Sequence, residues 1–288
     1  MKELINMNDV SSKPNHDKSV LYFSIPIVIL MVICSSIGIW YHGLYSKEAV
    51  GWLSQVTGQD ISNLIFVSPI LIASAFYASK GNKTATIIWM GTMITNIYSY
   101  VIYSFALHFN FLFHVYCLIL ALSIFSVLNY FVKNINENFM NWFTEKAPTK
   151  TIGIFLFIIG LMFTFLWLSD SLPAVLSNTV PESVTKDNLL INPVQALDFS
   201  FYLPLMFISS VMVIKKRALG YLLAPMMMVF AIITNINIIS LLLVTMQKTL
   251  VNNIPIIIVF CIFTVLCCGF LWSFLKHISK SSKTFTVK

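Results

Sequence analysis

Charge is scarce in this chain: Asp, Glu, Lys and Arg make up 10% of its 288 residues, against 58% of hydrophobic type. Mean hydropathy is +0.83, so the whole length belongs to the membrane class and a separate soluble domain is excluded. The chemistry-bearing motifs are missing as well. There is no Gly-rich phosphate loop, no G-x-S-x-G elbow, no H-E-x-x-H and no cysteine pair in redox spacing. Cys34, Cys117, Cys261, Cys267 and Cys268 all fall inside apolar runs, where a small polarisable side chain packs, so neither a disulfide framework nor a zinc knuckle is expected. A row of arginines of the voltage-sensor kind is also absent.

What is present is a series of eight apolar stretches, at 20–41, 61–79, 84–107, 111–131, 151–168, 193–214, 219–244 and 254–275. A hydrocarbon core about 30 Å thick takes roughly 20 helical residues, because a helix satisfies its own backbone where water is missing. The expected fold is therefore an all-α membrane protein of eight transmembrane helices. None of the stretches carries a charge near its middle, which argues against a proton-driven transporter with a midplane relay.

The basic residues between the stretches fall on alternate sides: fifteen on one side and only Lys47, Lys186 and Lys248 on the other. Positive residues near span ends are retained in the cytoplasm, which places both termini there and predicts a multi-pass protein of the cytoplasmic cell membrane. Residues 1–19 read as a cytoplasmic tail followed by a retained signal anchor, 20–276 as one transmembrane domain and 277–288 as a second tail. The formal charge of +7 calls for anionic lipid at the cytoplasmic face, not nucleic acid. Within 133–150, Phe139, Met140, Trp142 and Phe143 suit a short helix lying on that surface.

The chain divides into two four-helix units, about 20–132 and 150–276. Pro69, Ser74 and Lys80 in the second helix of one match Pro204, Ser209 and Lys215 in the other at equal offsets. Units of four helices share one orientation, so the two repeats are expected to be parallel. Each long outer loop also holds a helix-like piece. In the first, Ser46 is placed to cap Val50, Leu53 and Val56, with Gly58 as the stop. In the second, Thr179 and Glu182 have capping-box spacing. These pieces either rest on the headgroups or act as lids.

The candidate polar positions follow from this layout. Asp60 precedes the second span and is expected to cap it, with a direct ligand or proton role as the alternative. Asn192 and Pro193 read as cap and first residue of the sixth span. Asp198 then lies nearly two turns inside, with Tyr202 a turn further on the same face; its role is either functional or structural through water or tyrosine. The third span carries a polar stripe of Thr92, Asn96, Ser99, Tyr100, Tyr103 and then His108, which is either packing glue or a cavity lining. Asn235, Asn237 and Ser240 form a shorter stripe in the seventh, and the two stripes are placed to meet across the repeat axis. His42, His108 and His114 fall near outer span ends with Asp60 and Asp198, in no known ligand spacing, so no metal or other cofactor is expected.

Gly58-Gln-Asp60, His108-Phe-Asn-Phe-Leu-Phe-His-Val-Tyr116, Asn192-Pro-Val-Gln-Ala-Leu-Asp198 and Leu219-Gly-Tyr-Leu-Leu-Ala-Pro225 together resemble a recurrent group of bacterial polytopic membrane proteins with no assigned activity. The resemblance runs from the first span to the seventh and implies the eight-span architecture, but no chemistry. Three functions stay open on these residues. One is binding or transport of a small or amphipathic molecule through an outward-open polar cavity lined by Asp198, Tyr202, Asn96, Tyr100, Tyr103, Asp60, His108 and His114. The others are a membrane-embedded enzyme using Asp198, Tyr202 and histidines at the outer face, and a non-catalytic partner subunit whose polar stripes only pack.

Overall fold

The structure is a computed structural model that describes residues 17–279. The expected tails lie outside the described residues apart from 17–19 and 277–279. Among the described residues, eight helices are long and apolar enough to cross a bilayer: α1 (Lys18–Trp40), α2 (Val50–Ala78), α3 (Lys83–Phe105), α4 (Phe113–Lys133), α5 (Thr149–Ser177), α6 (Pro193–Ile214), α7 (Gly220–Thr249) and α8 (Ile254–Leu275). The chain is thus an all-helical, multi-pass membrane protein.

Local chemistry explains several helix starts. Asp17 caps α1 by accepting from the Ser19 amide, and Asn82 caps α3 by accepting from Ala85. Asn192 accepts from the amides of Val194 and Gln195 with Pro193 as first residue, as the sequence predicts for α6.

The outer-loop expectations are corrected. No separate helix precedes the second span, because α2 starts at Val50 and runs through Gly58 and Asp60. Ala49 precedes it without a side-chain cap, while the Ser46 hydroxyl donates to the Gly43 carbonyl. The hydroxyls of Ser54 and Thr57 at its start are satisfied within the helix, by the carbonyls of Val50 and Leu53 one turn back. In the second loop Glu182–Thr185 is a single turn behind Pro181, and Thr179 bonds Ser177 instead of forming a capping box. The segment Phe139–Trp142 is one 3₁₀ turn, not a helix resting on lipid. Phe139, Trp142 and Phe143 are buried in protein, with Phe143 against Tyr221 and Phe274.

Contacts sort the helix ends onto two faces. On one, Lys133 pairs with Asp17 at 3.0 Å, Lys83 lies over the Trp142 ring, and the amide of Ser279 donates to the Trp142 carbonyl. On the other, Glu48 meets His108, Gln55 meets Asp187 and Lys248 meets Thr57. Both described ends of the chain therefore lie on the first face.

Helices approach closely where glycine removes a side chain, the usual device where lipid supplies no hydrophobic drive. Gly58 of α2 faces the α7 backbone at Leu241, Gly91 of α3 faces Met226 and Val229 of α7, and Gly153 of α5 faces Ile214 and Ser210 of α6. The Ser210 hydroxyl donates to the Gly153 carbonyl, and that of Ser240 to the Gly58 carbonyl. The third and seventh helices do pack, as expected, but at an apolar contact. Two of their polar residues bond to other helices, Asn96 to Ser123 of α4 and Asn237 to Ser62 of α2.

α2 and α6 share a defect. Each contains a π turn, Asn63–Val67 and Asp198–Tyr202, closed by the Ser68 amide on the Asn63 carbonyl and the Leu203 amide on the Asp198 carbonyl. Proline lacks an amide hydrogen and its ring crowds the carbonyl four residues back. Pro69 and Pro204 each stand two residues past a π turn, and widening the preceding turn relieves that crowding.

Candidate functional site

Two adjoining cavities lie between α2, α3, α5, α6 and α7, towards the face of His108 and Asp187. The larger, of about 100 Å³, is lined by Trp52, Gln55, Val56 and Gln59 of α2, by Tyr98, Ser99, Ile102 and Tyr103 of α3, and by Thr234, Asn237, Ile238 and Leu241 of α7. The smaller, of about 60 Å³, lies between α5, α6 and α7 and is lined by Phe163, Trp167, Asp198, Tyr202, Phe230 and Asn235 among others. Tyr98, Val194, Thr234 and Ile238 border both. The walls are mainly aliphatic and aromatic, with a few polar groups, as small-molecule sites commonly are.

Three of those polar groups have no protein partner. Trp52 Nε1, Thr234 Oγ1 and Asn235 Nδ2 are buried and bonded to nothing in the chain. A buried donor without an acceptor costs about 1–3 kcal/mol, so such groups are normally satisfied by something other than the protein.

Asp198 sits at the start of the π turn of α6, in the wall of the smaller cavity. Trp167 Nε1 donates to its Oδ2 at 2.7 Å, and among the described residues no Lys, Arg or His forms an ion pair with it. Tyr202, one turn on, points its hydroxyl at the Ile94 carbonyl, 3.5 Å away. Its ring is stacked on Phe230, with centroids 4.8 Å apart, and meets the edge of Tyr98. Asp198 thus takes its partners from other helices, Trp167 of α5 and Tyr98 of α3, instead of Tyr202 on its own.

Asp60 is not a helix cap. It is the eleventh residue of α2, roughly 15 Å along the axis from the helix start. Its side chain is 1% exposed and is held between the hydroxyls of Tyr45 and Tyr103, which donate to Oδ2 and Oδ1 at 2.7 Å each. Gly38 of α1 leaves the room, since a Cβ there would overlap the carboxylate. A carboxylate expected just before the second span is therefore an internal one. The same clamp ties α1, α2, α3 and the loop at Tyr45 together.

The third-span stripe divides. Tyr103 borders the larger cavity and reaches Asp60, whereas Tyr100 is buried in a tyrosine cluster with Tyr103 and Tyr116, and Asn96 points to α4. His108 is in the loop between α3 and α4, with its Nδ1 3.0 Å from Glu48. His114 is exposed against the Phe113 ring. Of the eight candidates, Asp198, Tyr202 and Tyr103 border the cavities, Asp60 lies just behind Tyr103, and Asn96, Tyr100, His108 and His114 do not line them. Sequence reasoning passed over Tyr98, Trp167, Trp52 and Thr234. Aromatic residues two turns from a proline helix were the available signal, but they look the same as lipid-facing ones.

Asp187, in the loop before α6, accepts from Gln55 at 3.1 Å, at the mouth of the larger cavity. Burial pushes its carboxyl above the usual range, with Lys186 and Gln55 pulling the other way.

Comparison of the chain with protein-family models, with curated proteins and with solved structures finds no match.

Proposed function

We propose that this membrane protein binds a small amphipathic molecule between its two halves and exchanges it with the face opposite the basic loops. The observation that carries the reading is the pair of adjoining cavities, with three buried, unpartnered polar groups on mainly aliphatic and aromatic walls. An apolar chain fits the aliphatic walls and a polar head supplies the missing partners. Both helices interrupted by π turns touch this region, and interrupted helices at a repeat boundary are a common way to build a membrane binding site. The equal placement of the π turns before Pro69 and Pro204 supports two parallel repeats, and the four sequence segments given above support kinship with the bacterial eight-span group.

The test is retention of an amphiphile. Native mass spectrometry of the chain released from nonionic detergent should show one bound amphiphile per chain. Ile238, which borders both cavities, is the position to fill. Ile238→Trp should lower retention at least tenfold at unchanged folded yield, and equal retention by both proteins would overturn the reading.

In this proposal both termini, the loop at 133–150 and Arg217 are cytoplasmic, with anionic lipid around them, and the cavities open outward. Reporter fusions placed after Lys186 and after Arg217 should read opposite sides of the membrane, the second cytoplasmic. The reverse result would invert the access assigned here.

A further inference from the structure

The ammonium class of ligand follows from charge and ring placement around the smaller cavity. A carboxylate inside a membrane domain is costly unless it meets water or an opposite charge. Asp198 meets the neutral donors Trp167 and Tyr98, and among the described residues no cationic residue is paired to it. Four aromatic side chains share its cavity wall, Tyr98, Phe163, Tyr202 and Phe230, as does Trp167 itself. Ring faces attract cations, and recognition of quaternary ammonium by aromatic groups uses this arrangement. The wider surroundings have the same sign: Glu48, Asp60, Asp170, Glu182, Asp187 and Asp198 fall on this half of the molecule against Lys47, Lys186 and Lys248. The residues shared by the two cavities make them neighbours along one path, so a head at Asp198 leaves the larger space for a tail.

We infer that the site selects an amphiphile whose head is an ammonium group, held by Asp198 and the rings of Trp167 and Tyr98, with its alkyl chain in the space between α2, α3 and α7. Asp187 at the mouth repels heads of net negative charge, such as sulfate and carboxylate, and favours cations. The specificity resides in charge, because the aliphatic walls accept any chain of suitable length. This inference rests on the amphiphile-binding reading, and narrows it to one head chemistry.

The experiment uses the full chain in dodecyl maltoside micelles and adds dodecyltrimethylammonium, laurate or a lysophosphatidylethanolamine, with bound mass and thermal midpoint as readouts. Dodecyltrimethylammonium should bind at least tenfold more tightly than laurate and raise the midpoint. Binding of dodecyltrimethylammonium alone assigns a free cationic amphiphile, and binding of the lysolipid as well assigns a lipid amine; both support the inference. Asp198→Asn should lose at least tenfold in affinity for dodecyltrimethylammonium while laurate binding holds or improves. Trp167→Leu removes one of the rings that hold the head, so it should lose at least threefold in affinity for dodecyltrimethylammonium while laurate binding holds, and undiminished cation affinity in that variant counts against the ammonium assignment. That variant keeps the inference testable if Asp198→Asn fails to fold. Equal binding of cation and laurate, or an Asp198→Asn protein with undiminished cation affinity, overturns the ammonium assignment and leaves amphiphile binding standing. No binding of any amphiphile overturns both.

Discussion

Asp60→Ala is expected to cost about 2–4 kcal/mol of stability, because it strips the acceptor from two buried hydroxyls at once. Tyr45 and Tyr103 donate to opposite oxygens of the carboxylate from different parts of the chain, so its loss loosens the loop at Tyr45 and α3 together. Asp60→Asn should fall between alanine and wild type: the amide oxygen keeps one hydroxyl, but the amide nitrogen faces a second donor. A simple cap would tolerate asparagine fully. Tyr103→Phe alone should cost about 1.5–3 kcal/mol, the range for a hydrogen bond to a charged group, and its combination with Asp60→Ala should cost less than the sum. Thermal or denaturant unfolding in detergent decides among these. An Asp60→Asn protein as stable as wild type would show that the two-hydroxyl clamp does not hold the bundle.

Gly58→Leu is expected to be at least as damaging as loss of the clamp. A Cβ at Gly58 would stand 2.5 Å from the Leu241 Cα, and the obstacle is backbone, so no rotamer change in α7 relieves it. Overpacking usually costs about 1–3 kcal/mol when neighbours yield, and a rigid backbone neighbour puts this site at or above that range. Two hydrogen bonds would also stretch, from Ser240 to the Gly58 carbonyl and from Ser62 to Asn237. α2 and α7 form opposite walls of the larger cavity, so a partly folded variant should also lose amphiphile retention. Gly269 of α8, with nothing near its Cβ position, supplies the control, and Gly269→Leu should leave stability and retention unchanged. A Gly58→Leu protein with wild-type stability and retention would disprove the tight α2–α7 crossing.

Span number, helix class and the grouping of loops onto two faces were legible in the residues themselves. Each depends on a one-dimensional property: the length of an apolar run, or the position of Lys and Arg relative to it. The start of α6 was legible for a similar reason, since Asn192 and Pro193 act on amides two or three residues away. The start of α2 was not. Residues 50–58 read as a separate short helix stopped by Gly58, and only close packing against α7 and α1 carries that helix on into the span.

The sequence alone determined that the chain must span a membrane eight times and that carboxylates near span ends would need partners. Which partner each one took was decided only by tertiary structure. Asp60 found two tyrosines 15 and 43 residues away, and Asp198 found Trp167, 31 residues away, instead of Tyr202 on its own helix. The division of the third-span stripe, with Asn96 to α4 and Tyr103 to the cavity, was decided in the same way. The physical reason is that periodicity fixes which side chains share a helix face, whereas the neighbour opposite that face depends on how helices cross, which small residues such as Gly58 and Gly91 control through contacts far apart in the chain.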